Sequence, residues 1–256
     1  MASSDATSAA GPGAASGALD FFRAQQAGFL ATLAAHRGSG QLVDRVWMQA
    51  FTSFERNVAD QTRALPALAC RKGCGTCCQI LVAATAPEVL MVARYVRAMA
   101  PGFMKVGIDL AGRLAAASDF PDSPPREEAG MALVRECPFL AEGICVAYPV
   151  RPMACRGHAS FDEAACVSAL LGGVDDVPVS EPHRTVRGLV QNALQSALHD
   201  AGYAWKLYDL VAAVRIALAR PDAEVVFAAG GDLLEPAMIR HVSDVEMASA
   251  FDRLKA

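Results

Sequence analysis

The stretch Val186-Arg187-Gly188-Leu189-Val190-Gln191-Asn192-Ala193-Leu194-Gln195-Ser196-Ala197-Leu198 places apolar residues at 186, 189, 190, 193, 194, 197 and 198. Steps of three and four follow the turn of an α-helix, so these side chains share one face. The same period runs through Val43, Val46, Trp47, Ala50, Phe51 and Phe54, and again through Leu207, Leu210, Val211, Val214 and Leu218. An apolar stripe must be covered, and the simplest cover is another helix. Thr85-Ala86-Pro87-Glu88 adds a helix start, with Thr85 as N-cap, Pro87 in the first turn and Glu88 closing a capping box. Its apolar face would be Val89, Val92, Ala93 and Val96. Strand signals are confined to residues 79–83 and 224–227, without the strand–helix alternation of a doubly wound sheet or a barrel. The fold class expected is mainly α: a helical domain with a loop-rich, metal-binding cysteine cluster.

The remaining composition bounds the function. With 256 residues, 53% of them hydrophobic, the chain can bury a sizeable core. A net charge of −4, with no run of Lys or Arg, argues against a general nucleic-acid binder, which needs clustered positive charge. No apolar run reaches the ~18–20 residues that span a bilayer. Residues 1–17 are mostly Ala, Ser, Gly and Thr, lacking the cationic and apolar regions of a signal peptide. They read as a disordered tail, and the protein is expected in the reducing cytoplasm. The expected organisation is a tail over 1–18, N-terminal helices over 19–66, a cysteine-cluster metal-binding domain over 67–171 and a C-terminal helical region over 183–256 packed on it. Residues 118–126, with Pro121, Pro124 and Pro125, read as a loop dividing the cysteines, and 172–182 as a second loop. There is no Gly-rich phosphate loop. The acidic pairs Glu127-Glu128 and Asp162-Glu163 read as helix-start charges.

The chain has eight cysteines: Cys70, Cys74, Cys77, Cys78, Cys137, Cys145, Cys155 and Cys166. In a reducing compartment such a count points to metal binding or catalysis rather than to disulfides. An isolated cysteine is often just a small buried hydrophobe. Cys70-Arg71-Lys72-Gly73-Cys74-Gly75-Thr76-Cys77-Cys78 is different, because four thiols in nine residues, with glycines between them, suit one turn wrapped around a metal. Arg71 and Lys72 are expected to lower the thiol pKa values and favour ligating thiolates. Neighbouring Cys77 and Cys78 do not point the same way easily, so one of them ligates while the other packs inward or serves a second metal. Cys137, Cys145, Cys155 and Cys166 follow in a Pro- and Gly-rich stretch that a metal would staple. The preferred ligands are Cys74, Cys77 or Cys78, Cys145 and Cys155, with Cys70 and Cys137 next, although eight thiols also allow two sites of four. Such a centre would close a long loop and couple metal binding to folding. Cys166 lies in a helix-like stretch, as a ligand or a buried cysteine. His158 is a nitrogen ligand or a solvent-facing loop residue. Arg151 and Arg156 either compensate thiolate charge or pair with a carboxylate such as Glu142. Tyr148 is expected to pack into the core beside the site.

Three blocks carry a resemblance: Cys74-Gly75-Thr76-Cys77-Cys78, Cys137-Pro138-Phe139-Leu140, and Cys145 through Arg151-Pro152-Met153-Ala154-Cys155-Arg156. In this order they resemble the YkgJ-like CxxCxxCC cysteine-cluster family, described as zinc- or iron-chelating. The resemblance covers about Cys70 to Cys166 and implies a cysteine-held metal, zinc or iron, including a [4Fe–4S] cluster. It supplies no reaction. Cys70 stands three residues, not two, before Cys74. Related domains are similar to part of a flagellin lysine methylase, which makes an enzymatic role conceivable by analogy only.

The leading function is a metalloprotein whose centre serves a structural, redox or sensing role. The alternative is an enzyme using an iron–sulfur cluster, since Cys70-x3-Cys74-x2-Cys77 has the spacing of radical S-adenosylmethionine enzymes. Against it stand Thr76, where an aromatic is usual, and the absence of a strand series for a barrel. A thiol redox pair at Cys74 and Cys77 lacks a βαβ setting. The amphipathic C-terminal helices also allow a protein partner or a homo-oligomer.

Overall fold

A computed structural model of the chain describes residues 12–117, 136–173, 176–240 and 243–255. Ten helices are present among them: α1 (Pro12–Ala35), α2 (Leu42–Gln61), α3 (Ala86–Lys105), α4 (Leu110–Ala116), α5 (Met153–Gly157), α6 (Glu163–Leu170), α7 (Glu181–Asp200), α8 (Leu210–Ala219), α9 (Ala223–Ala228) and α10 (Asp244–Lys255). The strands are short: β1 (Ala83–Thr85) pairs antiparallel with β4 (Leu207–Asp209), and β2 (Leu140–Ala141) with β3 (Ile144–Cys145). The mainly helical expectation holds. Among the described residues there is no strand series from which a barrel could be built.

The stripe on α7 organises the core. Val186, Val190, Ala193, Leu194, Ala197 and Leu198 are buried, and α7 packs against α1, α2, α5 and α10. From α2, Val43, Val46, Ala50 and Phe54 are buried in the same core, while Trp47 and Phe51 stack on each other at a centroid distance of 5.0 Å. The α1 face, Phe22, Gln26, Phe29 and Leu33, has the same period and is equally buried. Helix α1 begins at Pro12, inside the stretch expected to be a tail, because this alanine-rich segment continues a helix already anchored by Phe22. Residues 1–11 lie outside the described residues, as do the expected loop at 118–126 and Glu127-Glu128.

Two further expectations are corrected. Residues 224–227 are helical, in α9, because Ala223 and Phe227, one turn apart, are buried together and outweigh the strand preference of Val225 and Val226. Arg94 also fixes this turn, bonding Glu224 at 2.9 Å and Asp44 at 2.5 Å. The helical stripe beginning at Leu207 starts instead at Leu210: Leu207 is in β4, and Asp209 caps α8 by accepting from the Ala212 amide at 2.9 Å.

The capping box at Thr85 forms as expected and has a second use. Glu88 Oε2 accepts from the Thr85 amide and from Thr85 Oγ1, both at 2.8 Å. Its Oε1 accepts from the Met153 amide at 2.6 Å, so a carboxylate only 2% exposed ties the start of α3 to the start of α5. Burial raises the Glu88 pKa, opposed by these bonds and by the charge of Arg187. Helix α5 carries Cys155, so this tie places the cysteine segment on the helical frame.

Candidate metal centre

All eight cysteines carry thiols and none is in a disulfide. The first group runs over a loop and a 3-10 turn, Thr76–Gln79. Gly73 takes φ +94°, a conformation favouring glycine, which reverses the chain between Cys70 and Cys74. A Cβ on Gly75 would stand 2.8 Å from the Leu140 side chain, so a glycine here lets the turn press against the β2–β3 hairpin. That hairpin is closed by Glu142 and Gly143, with φ of 49° and 75°, the pair of positive angles of a tight two-residue turn. It brings Leu140 opposite Cys145. The Cys137 amide donates to the Cys78 carbonyl at 2.9 Å, and Tyr95 of α3 donates its hydroxyl to the Val146 carbonyl at 2.9 Å. Arg113 of α4 donates to the carbonyls of Pro138, at 3.0 Å, and Leu140.

As a result, Cys77, Cys78, Cys137, Cys145 and Cys155 line one cavity of about 130 Å³. Arg151 and Arg187 line it too. The Nε atoms of both are buried with no hydrogen-bond partner among the described residues. Arg151 lies over the Tyr148 ring at 4.0 Å. Tyr148 itself is 57% exposed, contrary to the expected core role, because Pro149 and the 3-10 turn Tyr148–Val150 carry it to the surface as a platform for Arg151. Arg156 behaves differently. It donates to the carbonyls of Arg151, Tyr148 and Pro149, pairs with Glu55 at 2.7 Å and lies over Phe51 at 4.2 Å. Arg156 therefore locks the turn before α5 to α2, and Arg151 is the guanidinium presented to the thiols.

Cys70, Cys74 and Cys166 do not line this cavity. Cys70 receives the Ser160 amide at 3.4 Å, the Ala69 amide donates to the Ser160 carbonyl at 3.0 Å, and Arg71 pairs with Glu163. These ties hold the Cys70 loop to the start of α6. Asp162 caps α6, accepting from the Ala164 and Ala165 amides at 2.8 and 3.1 Å, and Cys166 follows one turn on. Cys166 borders a second cavity of about 220 Å³ together with Cys77 and His158. His158, exposed at the end of α5, borders both cavities. Among the described residues no three thiol, imidazole or carboxylate groups stand close enough, as placed, to hold a metal ion. The ligand set centred on Cys74 with Cys145 and Cys155 is separated here, with Cys74 on the Cys70 side of the turn.

Four of the thiols are pushed toward their neutral form. Burial raises Cys155, with Cys137 and Cys77 adding to it and Arg151 opposing. A hydrogen bond with Cys78 and then burial raise Cys77, and burial raises Cys145 against Arg151 and Arg156. Cys70 is raised by burial as well, so Arg71, engaged with Glu163, does not produce the expected lowering. Desolvated thiols ionise when a cation replaces their protons. A donor set of clustered sulfurs faced by two partnerless guanidinium nitrogens fits a centre whose thiolates outnumber the charge of the metal they hold.

Fold and site together define a helical protein carrying a cysteine-rich segment. Residues 69–169 match the model of the CxxCxxCC family, described as "Putative zinc- or iron-chelating domain". Helices α1, α2, α7, α8, α9 and α10 lie outside that match. No curated protein and no solved structure matches the chain. No helix among the described residues is long and apolar enough to cross a membrane.

Proposed function

We propose that this chain is a cytoplasmic metalloprotein in which zinc, or iron as an iron–sulfur cluster, is held by thiolates drawn from Cys70, Cys74, Cys77, Cys78, Cys137, Cys145, Cys155 and Cys166. Its first role is structural: the metal fastens the cysteine segment to the helical frame. The observation that carries this reading is the cavity where five thiols, from three separate stretches of chain, face Arg151 and Arg187. Bound zinc would supply a closed tetrahedral crosslink, and an iron–sulfur cluster would add one-electron redox chemistry and with it a sensing role. The residues around it have distinct tasks. Arg151 and Arg187 oppose the excess negative charge, Arg156 and Tyr95 fix the loops that carry Cys145 and Cys155, and Glu88 sets the start of α5.

The test is anaerobic purification followed by absorption spectroscopy with metal and acid-labile sulfide analysis. Broad absorption at about 400 nm with sulfide identifies an iron–sulfur protein and opens the redox role. A colourless protein with stoichiometric zinc assigns the structural role alone. A metal-free protein whose cysteine segment resists proteolysis as well as metal-treated protein does would overturn the proposal.

A further inference from the structure

We infer that the chain carries a binding site for a small aliphatic carboxylate, where the two cavities beside Cys77 meet. Arg187 and His158 take the carboxylate, and the 220 Å³ cavity between the turn Thr76–Gln79 and α6 takes the aliphatic body. The inference goes beyond the metalloprotein reading and uses no thiol as a donor, so it does not depend on that reading.

Arg187 reaches this point from α7. A Cβ on Gly157 would stand 2.5, 2.6 and 2.7 Å from three carbons of the Arg187 stem. The glycine at the end of α5 therefore lets the stem lie across that helix and sets the guanidinium at the cavity wall. Its Nε is buried with no hydrogen-bond partner among the described residues, and a buried donor left unpaired is costly enough to call for an acceptor.

The neighbouring groups are engaged elsewhere. Glu88 is close enough to feel the charge of Arg187, but its oxygens accept from Thr85 and Met153. Arg151, held over the Tyr148 ring, is the guanidinium presented to the thiols. His158 borders both cavities and lines the smaller one together with Arg187. A guanidinium fork beside an imidazole N–H matches a carboxylate in shape and in charge.

The body of the ligand is set by the larger cavity. Ile80, Ala169, Leu170, Val177 and Val179 line it, with no Asp, Glu, Lys or Arg among its walls. An aliphatic cavity of ~150 Å³ takes a benzene-sized molecule, so one of about 220 Å³ has room for a chain of about six carbons. Cys77, Ile80 and His158 border both spaces, so head and body meet there. Ala169 and His158 are exposed, which opens the site to solvent. A second carboxylate on the ligand would lie unpaired against aliphatic walls, so the site selects a monocarboxylate.

The experiment titrates hexanoate, hexanol and acetate into the full chain as isolated, by calorimetry, with metal content measured on the same samples. One hexanoate per chain is expected. Acetate, lacking the body, should bind about a hundredfold more weakly. Hexanol, lacking the charge, should bind about tenfold more weakly. Arg187→Gln should weaken hexanoate by about tenfold and leave hexanol unchanged, and Arg187→Lys should recover part of the loss. Ala169→Phe, which fills the larger cavity from α6, should abolish binding of both, with metal content unchanged. Equal binding of hexanoate and hexanol would overturn the inference. So would hexanoate binding that neither Arg187→Gln nor Ala169→Phe weakens, or no binding by the unmodified chain. If Arg187→Gln fails to fold, Ala169→Phe and the hexanol comparison decide. A metal-free chain that still takes hexanoate would remove the metalloprotein reading and leave this one standing.

Discussion

The helical frame and the cysteine segment are held together by different physics. In the frame, α7 buries six apolar residues along one face, and α1, α2 and α3 bury comparable stripes against the same core. In the cysteine segment, the turn Thr76–Gln79 and helix α6 have no buried residue at all, and order comes from backbone ties and from a few buried anchors such as Phe139 and Met153. A stretch with so little apolar burial cannot offset its conformational entropy by packing alone. The contrast predicts that the frame folds by its own core and that the segment depends on a crosslink.

Metal removal is the sharpest way to break that contrast. Zinc sites in small domains contribute ~10–16 kcal/mol, more than the stability of a whole domain. Exhaustive chelation should therefore raise hydrogen exchange throughout the described part of 69–169 outside α3 and leave α7 protected, as read by exchange mass spectrometry. An unchanged pattern would mean that the segment is held by its packing after all. Leu194→Ala probes the other side. Leu194 is fully buried on α7, and removing it should cost ~2–5 kcal/mol in urea unfolding, with the metal content of the folded fraction unchanged. Loss of metal with Leu194→Ala would show that frame and segment are one cooperative unit.

The division between the two regions also decided what could be read from sequence. The α7 stripe and the α3 capping box were legible because helical periods and caps are local, within four residues. Cys166 on a helix opened by Asp162-Glu163 was legible for the same reason. Helix α9 was not, since Val225 and Val226 favour strands and only the burial of Ala223 and Phe227 reverses the preference. The face Phe22, Gln26, Phe29 and Leu33 had the signal, and a count at steps of three and four would have found it. The grouping of the thiols left no such trace. Cys70 meets Ser160 across 90 residues, and the backbone between them carries no period that encodes the contact. Tyr148 and Arg151 were assigned by residue type, and the turn Tyr148–Val150 places the ring outside and the guanidinium at the thiols.

Glu88 joins the two regions, and its titration offers a finer test. The native pKa is raised from 4.5 by burial, so the folded protein holds this proton more tightly than the unfolded chain does. Its contribution is then most favourable below about 4.5, the unfolded value, and declines as pH rises through the folded pKa. Glu88→Gln, with no proton to lose, should remove that decline. It should also cost ~1–3 kcal/mol, because an amide nitrogen cannot accept from Thr85 or Met153. Urea midpoints of both proteins between pH 4 and 7 would show parallel slopes if Glu88 were ionised throughout the range.

The smallest effect belongs to Arg71→Ala. Its pair with Glu163 ties the Cys70 loop to α6, but the Arg71 side chain is 65% exposed, and such pairs contribute ~0–1 kcal/mol. The melting temperature should hardly move, since the frame does not use this contact. Hydrogen exchange should instead quicken at residues 69–71 and 163–166, where the pair and the Ser160 contacts hold the loop to α6. A melting change as large as that of Leu194→Ala would place the Cys70 loop within the folding core. A quickened local exchange with an unmoved melting temperature would mark it as an adjunct, ordered by its ties to Ser160 and α6.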